Sequence, residues 1–415
     1  MNATPELQAS PLGPVPSNWR VVRVDEAGQV LGGRQRSPGA AGEPTKYLRV
    51  ANVFDGHIDI SDILEMPFTA AERERFALRD GDILLNEGQS LELVGRSAIF
   101  RGEVPGCVYQ NTLIRFRANK GVLPEFVQAV FHRYVQSGVF AGIALQTTSI
   151  AHLGVSRLAS LSLPLPDEDE QRAIAEALTD VDAQLAALDQ LIAKKRDLKQ
   201  AAMQLLLNGK TRLAGHRGKW EPQSLGECLL ARPDYGINAA AVEYSDRHPS
   251  YIRITDISDD GRFCPVPRVS VAAANADRYY LNDGDVVFAR TGASVGKSYL
   301  YNPRDGLLVF AGFLIRVRPN PRVLRSEFLA AYAHTGSYWR WVRVMSMRSG
   351  QPGINGVEYA QLPLSLPPLA EQQDIAAVLS DMDAEVAALE SRCDKTRQLK
   401  QGMMQALLTG RIRLT

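Results

Sequence analysis

Two stretches of the chain carry apolar residues at alternating steps of four and three positions. In the first stretch these residues are Ile174, Leu178, Val181, Leu185, Leu188 and Ile192. In the second stretch they are Ile375, Leu379, Met382, Val386, Leu389 and Cys393. An apolar seam that recurs every 3.5 residues is typical of a helix that pairs with another helix. The pattern therefore predicts two long helices, over residues 163–210 and 364–415.

The remaining sequence has a different pattern. In Tyr47–Arg117 and Tyr251–Arg318, β-branched and polar residues alternate over short runs, and DGD turns precede apolar runs. This pattern is typical of short strands joined by tight turns. Helical patterns follow at Pro124–Gly138 and Ser326–Val344. We therefore expect two mixed α/β globular domains.

All of these elements occur twice, at an offset of 201 residues in the long helices and with small gaps within the globular regions. Leu163–Leu213 aligns with Leu364–Leu414 without a gap, and about half of the aligned positions are identical. An internal repeat of this kind determines the architecture. The predicted order is a disordered lead-in over 1–16, a first domain over 17–162, a helix over 163–210, a second domain over 211–363 and a helix over 364–415. The predicted fold class is α+β.

The two helices can be partnered in more than one way. We favour an antiparallel coiled coil, because two directly repeated helices that pair in this sense acquire a pseudo-two-fold axis. The alternative is that each helix packs only on its own domain. The sequence also leaves open whether the helices pair within one chain or between two chains.

Composition and motifs exclude several classes of protein. The formal net charge of +1 gives no overall basic field, although a local basic groove remains compatible with it. The sequence has no apolar run of the roughly 18 residues that a membrane span needs. It also lacks the motif spacings of hydrolases, metalloenzymes and dinucleotide-binding enzymes. We expect no catalytic residue, no metal site and no cofactor in this chain.

One segment resembles a phosphate-binding loop without meeting its requirements. In Thr291–Ser298 only three residues separate the glycines of the motif, where a P-loop has four, and no helix pattern follows. We therefore interpret the segment as a turn between strands. Its Lys297, and Arg96 in the first half, are candidate contacts to a nucleic-acid phosphate backbone, with solvated side chains as the alternative.

Two further loops are candidates for reading bases, because Arg, Gln and Asn side chains form paired hydrogen bonds with base edges. Each loop lies shortly before a long helix. The first contributes Gln146, Thr147, Thr148 and Ser149. The second contributes Arg340, Arg343, Arg348, Gln351 and Asn355. The alternative is that these are ordinary surface loops.

Taken together, the arrangement resembles the specificity subunits of type I restriction–modification systems, over nearly the whole chain. The resemblance is strongest in Leu163–Asp182 and Leu364–Asp383, and in the endings Leu206–Leu213 and Leu407–Leu414. In those proteins the two globular regions are target-recognition domains, each of which reads one half of a bipartite site in double-stranded DNA.

The resemblance also implies partners and a division of labour. The long helices set the gap between the half-sites and dock two modification (methyltransferase) subunits, which bind S-adenosylmethionine. Restriction (motor–nuclease) subunits, which use ATP and Mg²⁺, then join a cytoplasmic complex. The specificity subunit itself has no chemistry and no membrane contact.

Because two like helices would present one surface to two copies of a partner, polar residues shared by both helices are candidate partner contacts. On the first helix these are Gln171, Asp180, Asp182, Lys199 and Gln204. On the second they are Gln372, Asp381, Asp383, Lys400 and Gln405. The alternative is a solvated helix face. A coiled-coil scaffold whose α/β domains bind protein is the competing function.

Overall fold

The computed structural model describes residues 6–35, 39–147, 149–347 and 352–414. The chain divides into two compact units. The first unit comprises Met1–Asp189 with Arg392–Thr415, and the second unit comprises Gln190–Ser391. Each long helix therefore begins in one unit and ends in the other, as expected for a chain that repeats one domain and one helix.

The first unit contains the following strands: β1 (Leu7–Gln8), β2 (Val15–Pro16), β3 (Arg20–Arg23), β4 (Gly28–Gly32), β5 (Glu43–Leu48), β6 (Leu64–Phe68), β7 (Ile83–Asn86), β8 (Gly88–Gln89), β9 (Ser97–Ile99), β10 (Val108–Tyr109), β11 (Leu113–Ala118), β12 (Leu145–Gln146), β13 (Ala151–His152) and β14 (Ser162–Leu165). Its helices are α1 (Val24–Ala27), α2 (Ala70–Phe76), α3 (Pro124–Gln136), α4 (Val139–Ile143), α5 (Val155–Ser160) and the start of α6 (Glu168–Leu206).

The second unit contains the strands β15 (Glu221–Ser224), β16 (Asp234–Tyr235), β17 (Ala241–Glu243), β18 (Ser250–Ile252), β19 (Val269–Val271), β20 (Val286–Ala289), β21 (Ser298–Leu300), β22 (Leu308–Phe310), β23 (Leu314–Val317) and β24 (Pro363–Leu366). Its helices are α7 (Ser326–Tyr332), α8 (Gly336–Ser346), α9 (Gly356–Ala360) and the start of α10 (Leu369–Leu407).

Both units are built around the same antiparallel four-stranded sheet. Its strand order is β4-β11-β7-β9 in the first unit and β16-β23-β20-β21 in the second. The register is also the same: Ile114 lies opposite Leu85 and Gly32, and Ile315 lies opposite Phe288 and Tyr235. Because Ile114 and Ile315 are one repeat offset apart, the pairing of these strands confirms the predicted internal repeat.

Each sheet is covered on both faces, which explains why its central strands are continuously apolar. In the first unit, Ile83 and Leu85 of β7 face a core that includes Ile174 of α6 and Met404 of α10. The intervening Leu84 faces a second core formed with β5 and β10. The second unit has the same arrangement, in which Ile375 and Met203 cover its sheet. The apolar seams predicted from sequence are thus buried against the domains as well as between helices.

The amino-terminal segment differs from the prediction of a disordered lead-in over residues 1–16. In its described part, β1 and β2 form an antiparallel pair, with Leu7 opposite Pro16. The side chain of Val15 is fully buried in the same core as Trp19. This apolar anchor orders a segment whose polar, proline-rich composition suggests disorder.

The predicted helical pattern at Ser326–Val344 is also interrupted. It forms two helices, α7 and α8, because the hydroxyl of Thr335 caps the second by accepting a hydrogen bond from the Tyr338 N–H. No helix within the described residues is both long and apolar enough to cross a lipid bilayer.

Candidate nucleic-acid interface

In the first unit, the predicted base-reading loop lies against the loop that follows β7. Strands β12, β13 and β8 form one small antiparallel sheet, in which Ala151 lies opposite Gln89. The N–H of Leu153 donates to the carbonyl of Glu87 at 2.8 Å. We call residues 87–89 together with 145–147 and 149–153 the first loop pair.

The second unit has the same arrangement. Thr291 bridges to Gly353, and the N–H of Gly292 donates to the carbonyl of Pro352 at 3.0 Å. The N–H of Ile354 donates to the carbonyl of Arg290 at 2.9 Å. We call residues 290–292 together with 352–356 the second loop pair. In both units, therefore, a loop at the end of a central strand is held against the loop that precedes the long helix.

The second loop pair lies beside a cavity of about 620 Å³. The Arg290 guanidinium lies over the ring of Tyr235, with its central carbon 5.0 Å from the ring centroid. The Tyr235 hydroxyl accepts a hydrogen bond from the N–H of Gly356 at 3.0 Å, which ties the cavity wall to α9. Phe313 lines the same cavity and is 60% exposed. The cavity thus places the Arg290 guanidinium beside the aromatic rings of Tyr235 and Phe313.

Several of the predicted DNA contacts are accessible. Gln146, Thr147 and Ser149 are exposed in the first loop pair. Arg340 and Arg343 are exposed on α8, within the helical pattern predicted at Ser326–Val344. Thr148, Arg348 and Gln351 lie outside the described residues. Exposure leaves the first five available to a ligand, and their role stays a prediction.

The other predicted DNA contacts are engaged within the domains. The guanidinium of Arg96 lies over the ring of Phe54 and donates to the carbonyl of Val53. Lys297 forms an ion pair with Asp259 at 2.7 Å. Asn355 caps α9, where its side-chain oxygen accepts from the Glu358 N–H at 2.9 Å. These three side chains have a structural role that spacing alone does not reveal.

The segment that resembles a P-loop forms the predicted turn. Residues Gly292–Ser294 make a single 3-10 turn between β20 and β21, and no α-helix begins there. Gly292 has a φ of +70° and Gly296 a φ of +90°, so both adopt the left-handed region that favours glycine. The glycines of this segment therefore serve the turn geometry, without the helix N-terminus that a P-loop uses to bind phosphate.

Inside each unit, ion pairs join one long helix to the other or to the segment that follows it. In the first unit they are Glu170–Arg413, Asp182–Lys400 and Asp189–Arg397. In the second unit they are Glu371–Arg212, Asp383–Lys199 and Glu390–Arg196. Acidic residues further along one helix meet basic residues nearer the start of the other, so the helices pair antiparallel, as predicted. Each of these three pairs in one unit matches a pair in the other at the 201-residue offset. A further pair in the second unit, Lys195–Glu385 at 2.6 Å, has no equivalent, because Thr396 and Gln184 occupy the corresponding positions.

Four of the predicted partner contacts thus form ion pairs within the chain: Asp182, Lys199, Asp383 and Lys400. They remain partly accessible to solvent; Lys199 and Asp383, for example, keep 25% and 47% of their side-chain surface exposed. Asp180, Asp381 and Gln405 are exposed. The side-chain oxygen of Gln204 accepts from the N–H of Gly336 at 3.2 Å. For these eight residues, partner contact stays a prediction.

The prediction is wrong for Gln171 and Gln372, which are each only 1% exposed. The Gln171 side chain accepts from the Leu123 N–H and donates to the carbonyls of Gly121 and Pro166. Gln372 makes the matching contacts, to the Arg325 N–H and the carbonyls of Val323 and Pro367. Both glutamines therefore bond the first turn of a long helix to its own domain, where no partner can reach them.

Sequence reasoning also missed the residues beside these glutamines. Glu170 and Glu371 are buried, with 2% and 0% of their side-chain surface exposed, and each binds both ends of an arginine fork. The side-chain hydrogen bond to Glu170 is the main reason that the pKa of Arg413 is raised. Arg413 lies over the ring of Trp19, and Arg212 lies over Trp220. The available signal was the pair EQ, which occurs at the start of both helices.

Comparison with known proteins supports one family. The model of the type I restriction modification DNA specificity domain matches residues 16–195 and 239–400. The type I restriction enzyme StySPI specificity subunit of Salmonella potsdam is 23% identical over 384 residues, covering 87% of this chain and 80% of that protein. The EcoKI specificity subunit of Escherichia coli K12 is 24% identical over 387 residues, with the same coverage.

A solved structure has a similar fold. The HsdS subunit from Thermoanaerobacter tengcongensis aligns with a TM-score of 0.52 and 20% identity, covering 96% of this chain and 98% of that one. At this identity the likeness concerns the fold alone. The family match is independent of it and covers well over half of the sequence, once in each repeat. The chain therefore belongs to the type I restriction modification DNA specificity family.

Proposed function

We propose that this chain directs a type I restriction–modification complex to a bipartite site in double-stranded DNA, and that each unit reads one half-site through its loop pair. The observation that carries the proposal is the contrast within one repeat. Matching backbone hydrogen bonds hold the two loop pairs, and three ion pairs at the long helices recur in both units. The side chains that the loop pairs present differ, as expected for two readers of two different half-sites.

The chain supplies recognition in this proposal, and the chemistry belongs to its partners. Two modification subunits bind S-adenosylmethionine and methylate adenine. Restriction subunits use ATP and Mg²⁺ to move and cleave DNA in the cytoplasm.

The test is single-molecule methylome sequencing of a host that carries this gene with its modification gene, against a deletion of this gene alone. We expect methylation at one split motif to be lost. A methylome that is unchanged while the modification subunit is expressed would favour the scaffold alternative.

A surface for the modification subunit is suggested by exposed leucines at equivalent positions of the two helices. Leu198 of α6 is 48% exposed and Leu399 of α10 is 60% exposed. On α6, Leu191 and Leu205 extend the same stripe at seven-residue steps, with 39% and 43% exposed. Large apolar side chains exposed in a row on a helix are typical of a protein interface. On α10 the positions equivalent to Leu191 and Leu205 are Arg392 and Ala406. We propose that the surface around Leu198 and its equivalent Leu399, present once in each unit, docks one modification subunit.

The docking proposal has a matched control within the same helices. Leu198→Glu together with Leu399→Glu should abolish copurification of the modification subunit without changing the melting temperature of the isolated chain. Ala186 and Ala387 are also equivalent, exposed and apolar, and they lie about 120° around the helix from the leucines. Substituting both alanines by Glu should leave binding intact. Unimpaired binding by the leucine variant would place the docking surface elsewhere.

A further inference from the structure

One backbone position is shared by the two loop pairs and carries opposite charges. Glu87 follows β7, and Arg290 follows β20. The N–H of Glu87 donates to the carbonyl of Thr112 at 2.9 Å, and the N–H of Arg290 donates to the carbonyl of Phe313 at 3.0 Å. Thr112 and Phe313 are one repeat offset apart. The Glu87 and Arg290 carbonyls also accept from matching residues of the second loop, as described above. The two residues are therefore structural equivalents.

The Arg290 side chain is fixed in place and keeps its donors available. The Tyr235 ring supports its guanidinium, and a cation held over an aromatic ring loses part of its conformational freedom in advance. Among the described residues, no carboxylate forms an ion pair with Arg290, whereas Arg253, which lines the same cavity, is paired with Asp256 at 2.7 Å. A half-buried guanidinium held without a counter-charge at the edge of a cavity is suited to an external acceptor.

Glu87 presents the opposite chemistry. One of its carboxylate oxygens lies 3.0 Å from Nδ1 of His152, and 22% of the Glu87 side chain and 43% of the His152 side chain are exposed. This contact orients the Glu87 carboxylate, and its other oxygen can still accept a hydrogen bond. The positions equivalent to Tyr235 and Phe313 are Gly32 and Thr112, so the first unit has no aromatic wall at this place.

We propose, on the basis of the proposed function, that this position reads one base in each half-site: guanine through Arg290 and cytosine through Glu87. An arginine fork donates to O6 and N7 of guanine, while a carboxylate accepts from the N4 amino group of cytosine. A glutamate does not bind a phosphate, so a position that is acidic in one unit and basic in the other is explained by base reading in both. A phosphate contact would explain the arginine alone.

The test substitutes both residues by the same side chain. Glu87→Gln and Arg290→Gln are expressed separately with the modification gene, and each methylome is sequenced. Because glutamine pairs with adenine, each variant should shift the preference at one base pair of one half-site towards adenine. The expected change in discrimination is about tenfold to a hundredfold. Glu74→Gln and Arg304→Gln, at exposed positions of the same units, should leave the motif unchanged.

The outcomes separate this inference from the function on which it rests. An unaltered motif in both variants, with normal copurification of the modification subunit, would overturn it while the specificity role stands. Uniform weakening at all sites by Arg290→Gln would identify a phosphate contact and would also overturn it. If deletion of the gene leaves the methylome unchanged, the proposed function itself fails. Glutamine retains a hydrogen-bonding oxygen next to His152, so the first unit should fold in the Glu87 variant.

Discussion

The long helices and the loop pairs differ in how closely the two units of the chain match each other. Along the helices, three ion pairs in one unit have counterparts in the other at the 201-residue offset, and Lys195–Glu385 is the exception among the described residues. At the loop pairs, the equivalent positions are occupied by unlike residues. A surface that meets two copies of one partner must be repeated, whereas two readers of different sequences need only share a backbone.

The contrast extends to the neighbours of Glu87 and Arg290, the two residues that we propose to read bases. Glu87 corresponds to Arg290, Gly32 to Tyr235 and Thr112 to Phe313. The backbone hydrogen bonds at these positions are nevertheless the same in both units. The lesson is that the frame is fixed by main-chain pairing and buried apolar residues, which leaves the side chains at the strand ends free to differ.

The largest expected effect comes from changing the length of the repeated part. Insertion of one heptad after Asp189 and one after Ser391 lengthens both helices by about 10 Å. The non-read spacer of the DNA motif should grow by about three base pairs at 3.4 Å each, and both half-sites should persist. Methylome sequencing of the variant measures the spacer. An unchanged spacer would show that the helices do not set the distance.

The buried glutamines provide the next largest effect. Gln171→Ala and Gln372→Ala should each lower the free energy of unfolding by about 2–4 kcal/mol, because each leaves a buried N–H and two carbonyls without a partner. Since the two networks match, the two losses should agree within about 1 kcal/mol. Urea denaturation of the full chain measures both, and Gln373→Ala, at an exposed neighbouring position, is the control. A large loss in only one unit would break the proposed equivalence.

A smaller effect should expose a difference between the helix anchors. The Trp19 indole N–H donates to Glu170 at 3.0 Å, whereas that of Trp220 has no partner among the described residues. Trp19→Phe should therefore destabilise the chain by about 1 kcal/mol more than Trp220→Phe. Thermal and urea denaturation measure the difference. Equal losses would mean that the hydrogen bond to Glu170 contributes nothing net.

The smallest effect is expected at the accessible ion pairs. Lys199→Ala and Lys400→Ala should each cost about 0.5 kcal/mol or less, because exposed pairs are screened and flexible. Double-mutant cycles with Asp383 and Asp182 isolate the pair energies, which should fall as salt concentration rises. A coupling well above 1 kcal/mol would make these pairs structural anchors like Glu170 and Glu371.

The sequence predicted the helices well because heptad spacing is a local property that reports directly on burial. The steps from Ile174 to Ile192 alone specify which face is covered. The repeat then gave the second helix and domain. Gln171 was misassigned because a polar residue in a first helical turn has the same sequence signature whether it faces solvent or bonds a neighbouring loop.

The base-reading role that we propose for Glu87 and Arg290 could not be predicted from sequence, for a different reason. Arg290 and Tyr235 are far apart in the chain and meet because β16 and β20 flank β23 in one sheet. No spacing rule connects them, and the nearby glycines indicate only a turn between strands. Glu87 and Arg290 are also not separated by the 201 residues that relate the two helices. Only the backbone hydrogen bonds therefore identify them as equivalents.

The most direct test of the central claim, that equivalent helices hold two interchangeable readers, is to give both positions the same domain. A chain in which residues 17–162 also replace residues 211–363 would be expressed with the modification gene and its methylome sequenced. We predict a symmetric motif whose two halves are inverted copies of the first half-site, with the original spacer length. If the duplicated chain copurifies with the modification subunit and yet retains the original second half-site, or yields no symmetric motif, the account is wrong.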